Sequence, residues 1–348
     1  MQQWLKEVAR GKKGSKDLSY QETREVALSI INGEATDAQI AAYFIALRLK
    51  TESPEELRAF VHAFSENTVK LAQMNKPLID LASPYNGRNS FTGTIPTAIL
   101  MAEYGIPVFL HGSDSLPPKY GTAMKDILAY LGVRVNQAAP EVSKTINQLG
   151  IGFAPTEEYC SSLARLRKVR EEIGVRTLLN TVEKLLNIAR SQSIMVGAFH
   201  RTAINKITPI FTGLEYKNVF VVQGMEGSED LPVHRNSFIF KISDNKMDSM
   251  IVSPQEYGLL ESEFDKTNKL TAQEQAEITM ALLSGERSKS LQYYYNQVLF
   301  NTGIRYYLFG AAPTIEEGIE IAKEQLTSQK GMHLLEKWKA FEEINMNL

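Results

Sequence analysis

The sequence predicts an α/β protein: a small N-terminal helical domain over residues 1–75, then over 76–348 a larger α/β domain with a central, mainly parallel sheet. Three observations carry this expectation. The first 75 residues show helical periodicity and capping boxes with no strand-like run. From Pro77 the pattern changes to short apolar runs separated by segments of helical length, as in repeated strand–helix units. At 348 residues the chain is also long enough for more than one core.

Three helix starts in the first domain are well marked: Ser19 with Glu22, Thr36 with Gln39, and Ser53 with Glu56, the last with Pro54 at the first helical position. In each, a side-chain oxygen satisfies backbone donors that a helix leaves open. Asn32-Gly33 closes the intervening helix with a residue able to turn left-handed. The segment AQIAAYFIALRLK is apolar almost all round, which places its helix among others or at a subunit contact. Strands are expected over 78–82, 107–110, 150–154, 193–199, 217–222 and 237–242. Segments 156–172 and 176–189 read as helices that interrupt the alternation, so the helices of about 156–190 are expected to pack on the N-terminal domain. Capping boxes at Thr271 with Glu274 and Thr314 with Glu317 open amphipathic helices which, with 291–309, run to the C-terminus.

Composition narrows the function classes. With 43% hydrophobic and 22% charged residues the chain is an ordinary globular protein. A formal net charge of −2 excludes a uniformly basic nucleic-acid binder but leaves room for local patches. The one cysteine, Cys160, excludes an internal disulfide and a Cys-rich metal site and fits a reducing cytoplasm. The N-terminus lacks the apolar core of a signal peptide, and the most apolar helical run, 40–49, is too short to span a bilayer. A cytoplasmic protein without a membrane role is expected.

The stretch 80–122, DLASPYNGRNSFTGTIPTAILMAEYGIPVFLHGSDSLPPKYGT, reads as strand, polar loop, helix, strand and second polar loop. Both loops then emerge at the carboxyl ends of neighbouring parallel strands, where open α/β sheets hold ligands. Asn86, Gly87, Asn89, Ser90, Thr92 and Thr94 in the first loop suit an anion, as do His111, Gly112, Ser113, Lys119, Gly121 and Thr122 in the second. The same residue types also cap helices and bond their own loops, so a structural reading stands beside the functional one.

LSYQETREVALSIINGEATDAQIAAYFIALRLKTESPEEL closely resembles the N-terminal helical domain of glycosyltransferase family 3, which includes anthranilate phosphoribosyltransferase and the pyrimidine nucleoside phosphorylases. Later stretches resemble the anthranilate phosphoribosyltransferase pattern in order: LHGSDSLPPKYGTAMKDILAYLGV, GIGFAP, VREEIGVRTLLNTVEKLLNIA, VFVVQGMEGSEDL, SPQEYGL and EEGIEIAKEQL. The resemblance covers nearly the whole chain. It implies the two-domain fold of those enzymes and a homodimer formed through the helical domains. It also implies binding of phosphoribosyl pyrophosphate (PRPP), with Mg²⁺ bridging the pyrophosphate.

Within the resemblance the site motifs depart from the family pattern. The Gly-Thr-Gly-Gly-Asp loop that cradles PRPP reads Ala82-Ser83-Pro84-Tyr85-Asn86-Gly87, so glycines that admit a pyrophosphate are replaced by a proline and a bulky tyrosine. The Phe-Asn-Ile-Ser-Thr segment reads Phe91-Thr92-Gly93-Thr94-Ile95. The Lys-His-Gly-Asn-Arg motif reads Leu110-His111-Gly112-Ser113-Asp114, which removes both cations and adds a negative charge where the phosphates would lie. One charge pair at about 4 Å and an effective dielectric near 20 is on the order of 4 kcal/mol, so this exchange implies a large loss of affinity. A serine pair has become Pro117-Pro118, while Lys119, Gly121 and Thr122 keep the pattern. The resemblance places the magnesium-holding acids on Glu229-Asp230, in reversed order, and the acceptor-binding arginine on Arg170.

The loop SPYNG and the opening ARGKKGSKDL resemble a divergent branch of the family, the YbiB-type proteins. That branch implies the same fold and dimer, an eroded PRPP site and association with nucleic acid. The expected function is therefore a divergent anthranilate phosphoribosyltransferase-like protein; if catalytic, it would transfer phosphoribosyl from PRPP to an aromatic amine with Mg²⁺. The alternative is a non-catalytic homodimer that binds single-stranded nucleic acid through Lys12, Lys13, Lys16, Arg165, Arg167 and Lys168. Against a basic patch stands a solvated helix face, with Glu171 and Glu172 compensating the arginines.

Overall fold

A computed structural model describes residues 1–11, 13–82, 85, 87–198, 208–211, 214–243, 246–265 and 268–341. The N-terminal part is helical: α1 (Gln2–Val8), α2 (Tyr20–Ile31), α3 (Asp37–Lys50) and α4 (Pro54–Glu66). The capping boxes at Ser19, Thr36 and Ser53 all form, each with reciprocal bonds. Gly33, past the end of α2, sits at φ 74°. The core of this part is aromatic, with Tyr43 and Phe64 both stacked on Phe60 at centroid distances of 6.1 and 6.0 Å. α3 buries Tyr43, Phe44 and Leu47, while Leu49 on the same helix is 78% exposed.

The α/β part holds a seven-stranded sheet among the described residues, in the order β3-β2-β1-β4-β5-β6-β7. Its strands are β1 (Ile79–Ala82), β2 (Val108–Gly112), β3 (Ile151–Pro155), β4 (Ser193–Gly197), β5 (Asn218–Val222), β6 (Ser237–Ser243) and β7 (Lys246–Val252). The first five run parallel and the last two antiparallel. The chain moves outward from β1 through β2 to β3, then returns to place β4 on the other side of β1. That reversal puts the switch point, and with it the expected ligand crevice, beyond the carboxyl ends of β1 and β4. Four residues of β1 and five each of β2, β3 and β4 are buried throughout, as central parallel strands require.

Between the strands lie α5 (Thr94–Glu103), α6 (Met124–Tyr130) and α7 (Ala139–Leu149). Two expectations need correction. The segment 156–172 is broken at Cys160 into α8 (Thr156–Tyr159) and α9 (Ser161–Ile173), and 176–189 holds only α10 (Leu179–Val182) followed by a 3₁₀ turn at Glu183–Leu185. Asn187 and Arg190 take left-handed backbone angles, φ 47° and 52°, and Glu183 and Lys184 are pulled inward by tertiary partners. α9 lies against α3, and α10 against α4. Strand β7 was not anticipated, because residues 246–249 are exposed on both of its faces and show no alternation of apolar and polar residues. Among the described residues, α-helices then follow over Ala272–Leu283, Gln292–Leu308, Ile315–Thr327 and Lys330–Lys339. Thr271 opens the first with a full capping box, whereas Thr314 accepts from Glu317 without a returned bond. Phe199, at the end of one expected strand, lies outside the described residues.

Candidate functional site

β1 and β2 deliver Asp80 and His111, both fully buried. His111 Nε2 lies 2.9 Å from Asp80 Oδ1, although off the line of a hydrogen bond. The ring stacks on Phe109 at 5.5 Å, and its Nδ1 meets the Tyr85 hydroxyl. That hydroxyl also lies 2.9 Å from the Glu183 carbonyl and accepts from Thr156 Oγ1 at 3.2 Å. Burial, with Glu183 nearby, pushes the Tyr85 phenol well above its ordinary range, so it stays protonated. Tyr85 therefore fills with an apolar ring and a bonded hydroxyl the space below the loop where glycines would leave room.

The two polar loops are joined directly. Arg88 N donates to Thr122 O at 3.0 Å and Thr122 N to Arg88 O at 2.8 Å. Gly87, at φ 67°, and Gly121 meet so closely that a Cβ on Gly87 would lie 2.1 Å from Gly121 O. Leu270 holds the joint from outside: its N donates to Asn89 O and its O accepts from Thr122 Oγ1 at 2.7 Å. Asn86 lies outside the described residues. Ser113 Oγ is buried with no partner among the described residues, and a side chain at Gly112 would meet open space. Thr92 N donates to Gln275 at 2.9 Å.

Below this joint is a buried charge cluster. Asp230 Oδ2 accepts from Thr94 N at 3.0 Å, at the start of α5, and from Arg88 Nη1. Its Oδ1 lies 3.4 Å from Arg305 Nη2. Glu229 accepts from Thr94 Oγ1 at 2.5 Å. Arg88 is 2% exposed and also donates to Phe91 O at 2.5 Å and Ser90 Oγ at 3.3 Å, while Arg305 is completely buried. Lys184 donates to the carbonyls of Gly197 and Gly227 at 3.3 and 3.1 Å. Burial lowers the Lys184 ammonium to about 8, with Glu229 opposing the shift.

Magnesium at the acids to which the resemblance points would have to displace bonds already made here. Magnesium needs carboxylate oxygens free to face it with its waters. Here both Asp230 oxygens face guanidinium groups, Glu229 is fully buried against Thr94, and no cluster of three acidic, His or Cys ligands exists among the described residues. The Arg88 guanidinium stands where a cation facing Asp230 would lie.

At the rim, Glu226 repeats the motif in water. It holds a left-handed backbone, φ 51° and ψ 22°, and its carboxylate accepts from Asn89 N at 3.2 Å, Ser90 N at 2.8 Å and Ser90 Oγ at 2.6 Å. The Lys119 ammonium completes the set. Partial burial pushes the carboxyl up, but the bonds from Lys119 and Ser90 outweigh it and hold it at about 2. The side chains of Lys119 and Glu226 remain 19% and 22% exposed.

Most of the remaining candidates are also engaged. Arg170 donates to both Glu183 oxygens, at 2.6 and 2.9 Å, in a buried two-pronged pair. Arg165 donates to Ile31 O, capping the end of α2. Arg167 binds Glu157 at 2.7 Å and Glu171 at 3.2 Å, and Lys168 is 3.8 Å from Glu172. Lys16 lies 3.6 Å from Glu7, Lys13 is exposed, and Lys12 lies outside the described residues. Asp114 is exposed, with Lys125 at 3.2 Å.

The fold with a ligand crevice at this switch point defines a class, and the chain belongs to it: it is a member of the glycosyl transferase family. Residues 82–332 match that family's a/b domain and residues 2–68 its helical bundle domain. The chain is 28% identical to anthranilate phosphoribosyltransferase of Persephonella marina over 340 residues, 97% of this chain and 98% of that one. It is 27% identical to the enzyme of Aquifex aeolicus, with 96% and 97% covered. Among solved structures, anthranilate phosphoribosyltransferase of Thermus thermophilus superposes with a TM-score of 0.82 at 26% identity, covering 97% of this chain and 98% of that one. The Saccharomyces cerevisiae enzyme in complex with PRPP and Mg shares the fold, with a TM-score of 0.83 at 17% identity and 97% and 96% covered.

Reasoning from the sequence missed Arg88, Glu183, Lys184, Glu226 and Arg305. One signal was present: Gln297, Asn301 and Arg305 recur every fourth residue along one buried stripe of the helix, and Asn301 and Arg305 meet the 229–231 loop, with Asn301 bonding both N and O of Leu231 at 2.8 Å. Arg88 and Glu226 carry no such pattern.

Proposed function

We propose that this chain is a divergent phosphoribosyltransferase-type protein whose PRPP and metal positions are closed by its own ion pairs, so that ordinary anthranilate phosphoribosyltransferase activity is lost. The reading rests on one observation: the Arg88 guanidinium, 2% exposed, is seated on Asp230. A transferase of this class displaces pyrophosphate from PRPP with an aromatic amine and needs a cation at the leaving group. An arginine fixed to Asp230 by a buried pair occupies that place and brings no open coordination position. The Arg170–Glu183 pair and Tyr85 support the same reading, since the first engages the guanidinium an acceptor carboxylate would use and the second fills the cradle.

Isothermal titration with PRPP and Mg²⁺ tests this. The expected result is no saturable heat at millimolar ligand; binding at micromolar PRPP with turnover of anthranilate would overturn it. The nucleic-acid reading has less behind it, because Arg165 and Arg167 are bound to partners within the chain and leave only Lys168 of that group largely exposed.

A further inference from the structure

We infer that Lys70 and Arg190 form a binding site for a small organic carboxylate with an apolar body, in a cavity between α4 and the segments that lead into β4 and β5. The site lies at the amino ends of those strands, opposite the switch-point crevice, and uses none of the residues of the PRPP reading.

The cavity has a volume of about 390 Å³, room for a compact organic acid. Both parts of the chain build it. His62 and Ser65 come from one face of α4 and Lys70 from the segment after it, while Arg190 precedes β4 and Glu215 precedes β5. Leu185, Leu214 and the Tyr216 ring supply apolar wall.

Lys70 is the reason to expect an anion. Its ammonium donates to Ser65 Oγ at 2.7 Å, to Asn187 O at 3.2 Å and to Leu186 O, three neutral oxygens that take its protons without answering its charge. Burial first, and then the neighbouring Arg190, lower it to about 8, against an opposing pull from Glu215, Cys160 and Asp80. On α4, Glu66 is held by Arg24 at 2.6 Å and so does not answer it either. The Arg190 side chain is exposed and makes no bond among the described residues. Two cations therefore border one cavity with no carboxylate bonded to either among those residues.

A carboxylate seated on the Arg190 guanidinium takes a two-pronged bond and sets its charge beside Lys70, replacing the long bond to Asn187 O. A further donor is spare in the wall. His62 Nδ1 lies 2.8 Å from the Tyr20 hydroxyl; with that hydroxyl donating, the ring proton sits on Nε2, which is buried without a partner among the described residues. Glu215 beside the two cations favours an anion of single charge over a doubly charged phosphate.

The test uses the full chain and butyrate, with butyramide as its uncharged match. Calorimetric titration at constant ionic strength should show saturable butyrate binding, with a Kd of about 1 mM or tighter, and none of butyramide. Arg190→Gln, a change to an exposed side chain, should weaken butyrate by about tenfold or more. The bound anion raises Lys70 toward its ordinary range, so binding at pH 8 should take up protons, read from titrations in two buffers with different heats of ionisation. That uptake should disappear in Lys70→Met. If Lys70→Met is too unstable to titrate, the uptake of the unmodified protein must fall away by pH 6, where Lys70 is already protonated. The inference is overturned if butyrate gives no saturable heat, if butyramide binds as well, if Arg190→Gln binds as tightly as the unmodified protein, or if binding at pH 8 takes up no protons. Because PRPP and metal are absent from this assay, its failure leaves the reading of Arg88 and Asp230 untouched.

Discussion

Asp230 and Glu226 are two carboxylates on the same loop after β5, each met by a backbone N–H and a cation, yet they do different work. Asp230 and its partner Arg88 are excluded from water, at 0% and 2% side-chain exposure; Glu226 and Lys119 keep 22% and 19%. In the buried pair, taking either partner away strands a charge that no solvent relieves. At the rim, water and salt screen the pair. The buried pair is thus part of the fold, and the rim pair is a partly solvated contact that holds its loops more weakly.

The largest effect is expected at the buried pair. Arg88→Met should cost roughly 3–5 kcal/mol, because Asp230 is then buried with only Thr94 N and the distant Arg305 edge. Chemical denaturation measures this, and a loss below about 1 kcal/mol would place Arg88 in the same class as Lys119. Next is Tyr85→Phe, which leaves His111 Nδ1 without its partner in a dry site; about 1–3 kcal/mol is expected in the same assay.

Glu226→Gln should cost less, about 1–2 kcal/mol at pH 7. Its pH dependence has a definite sign. The folded carboxyl, at about 2, lies below its ordinary 4.5, so the stability it contributes is present above 4.5 and is lost as pH falls from 4.5 toward 2. Denaturation at pH 7 and pH 3 should therefore show the gap between the protein and the variant narrowing at the lower pH; an unchanged gap would mean that charge is not what holds Glu226. The smallest effect is expected for Lys168→Ala, whose partner Glu172 is 3.8 Å away with both side chains more than half exposed. Its unfolding midpoint should not move.

The fold was legible because its signals are local: capping boxes at Ser19, Thr36 and Ser53, and the change of period after Pro77, each depend on residues a few positions apart. The site was legible only as a place. Asn89, Ser90 and Lys119 do converge, on Glu226, and Thr94 meets Glu229 and Asp230, but the partners lie far along the chain, with Arg88 142 positions from Asp230 and Lys119 107 from Glu226. A cation that belongs to a buried pair and one that awaits a ligand look the same in sequence. The segment 176–189 failed for a related reason: its helical pattern was overridden when Glu183 and Lys184 found partners across the core.

Manganese binding followed by electron paramagnetic resonance tests the replacement of a metal by Arg88 most directly. Titrating the protein into Mn²⁺, with and without PRPP, should leave the free Mn²⁺ signal at the level set by PRPP alone. Protein-dependent loss of that signal at micromolar Mn²⁺, abolished by Asp230→Asn, would show that the acids accept a metal despite Arg88 and would contradict the proposed closure of the site.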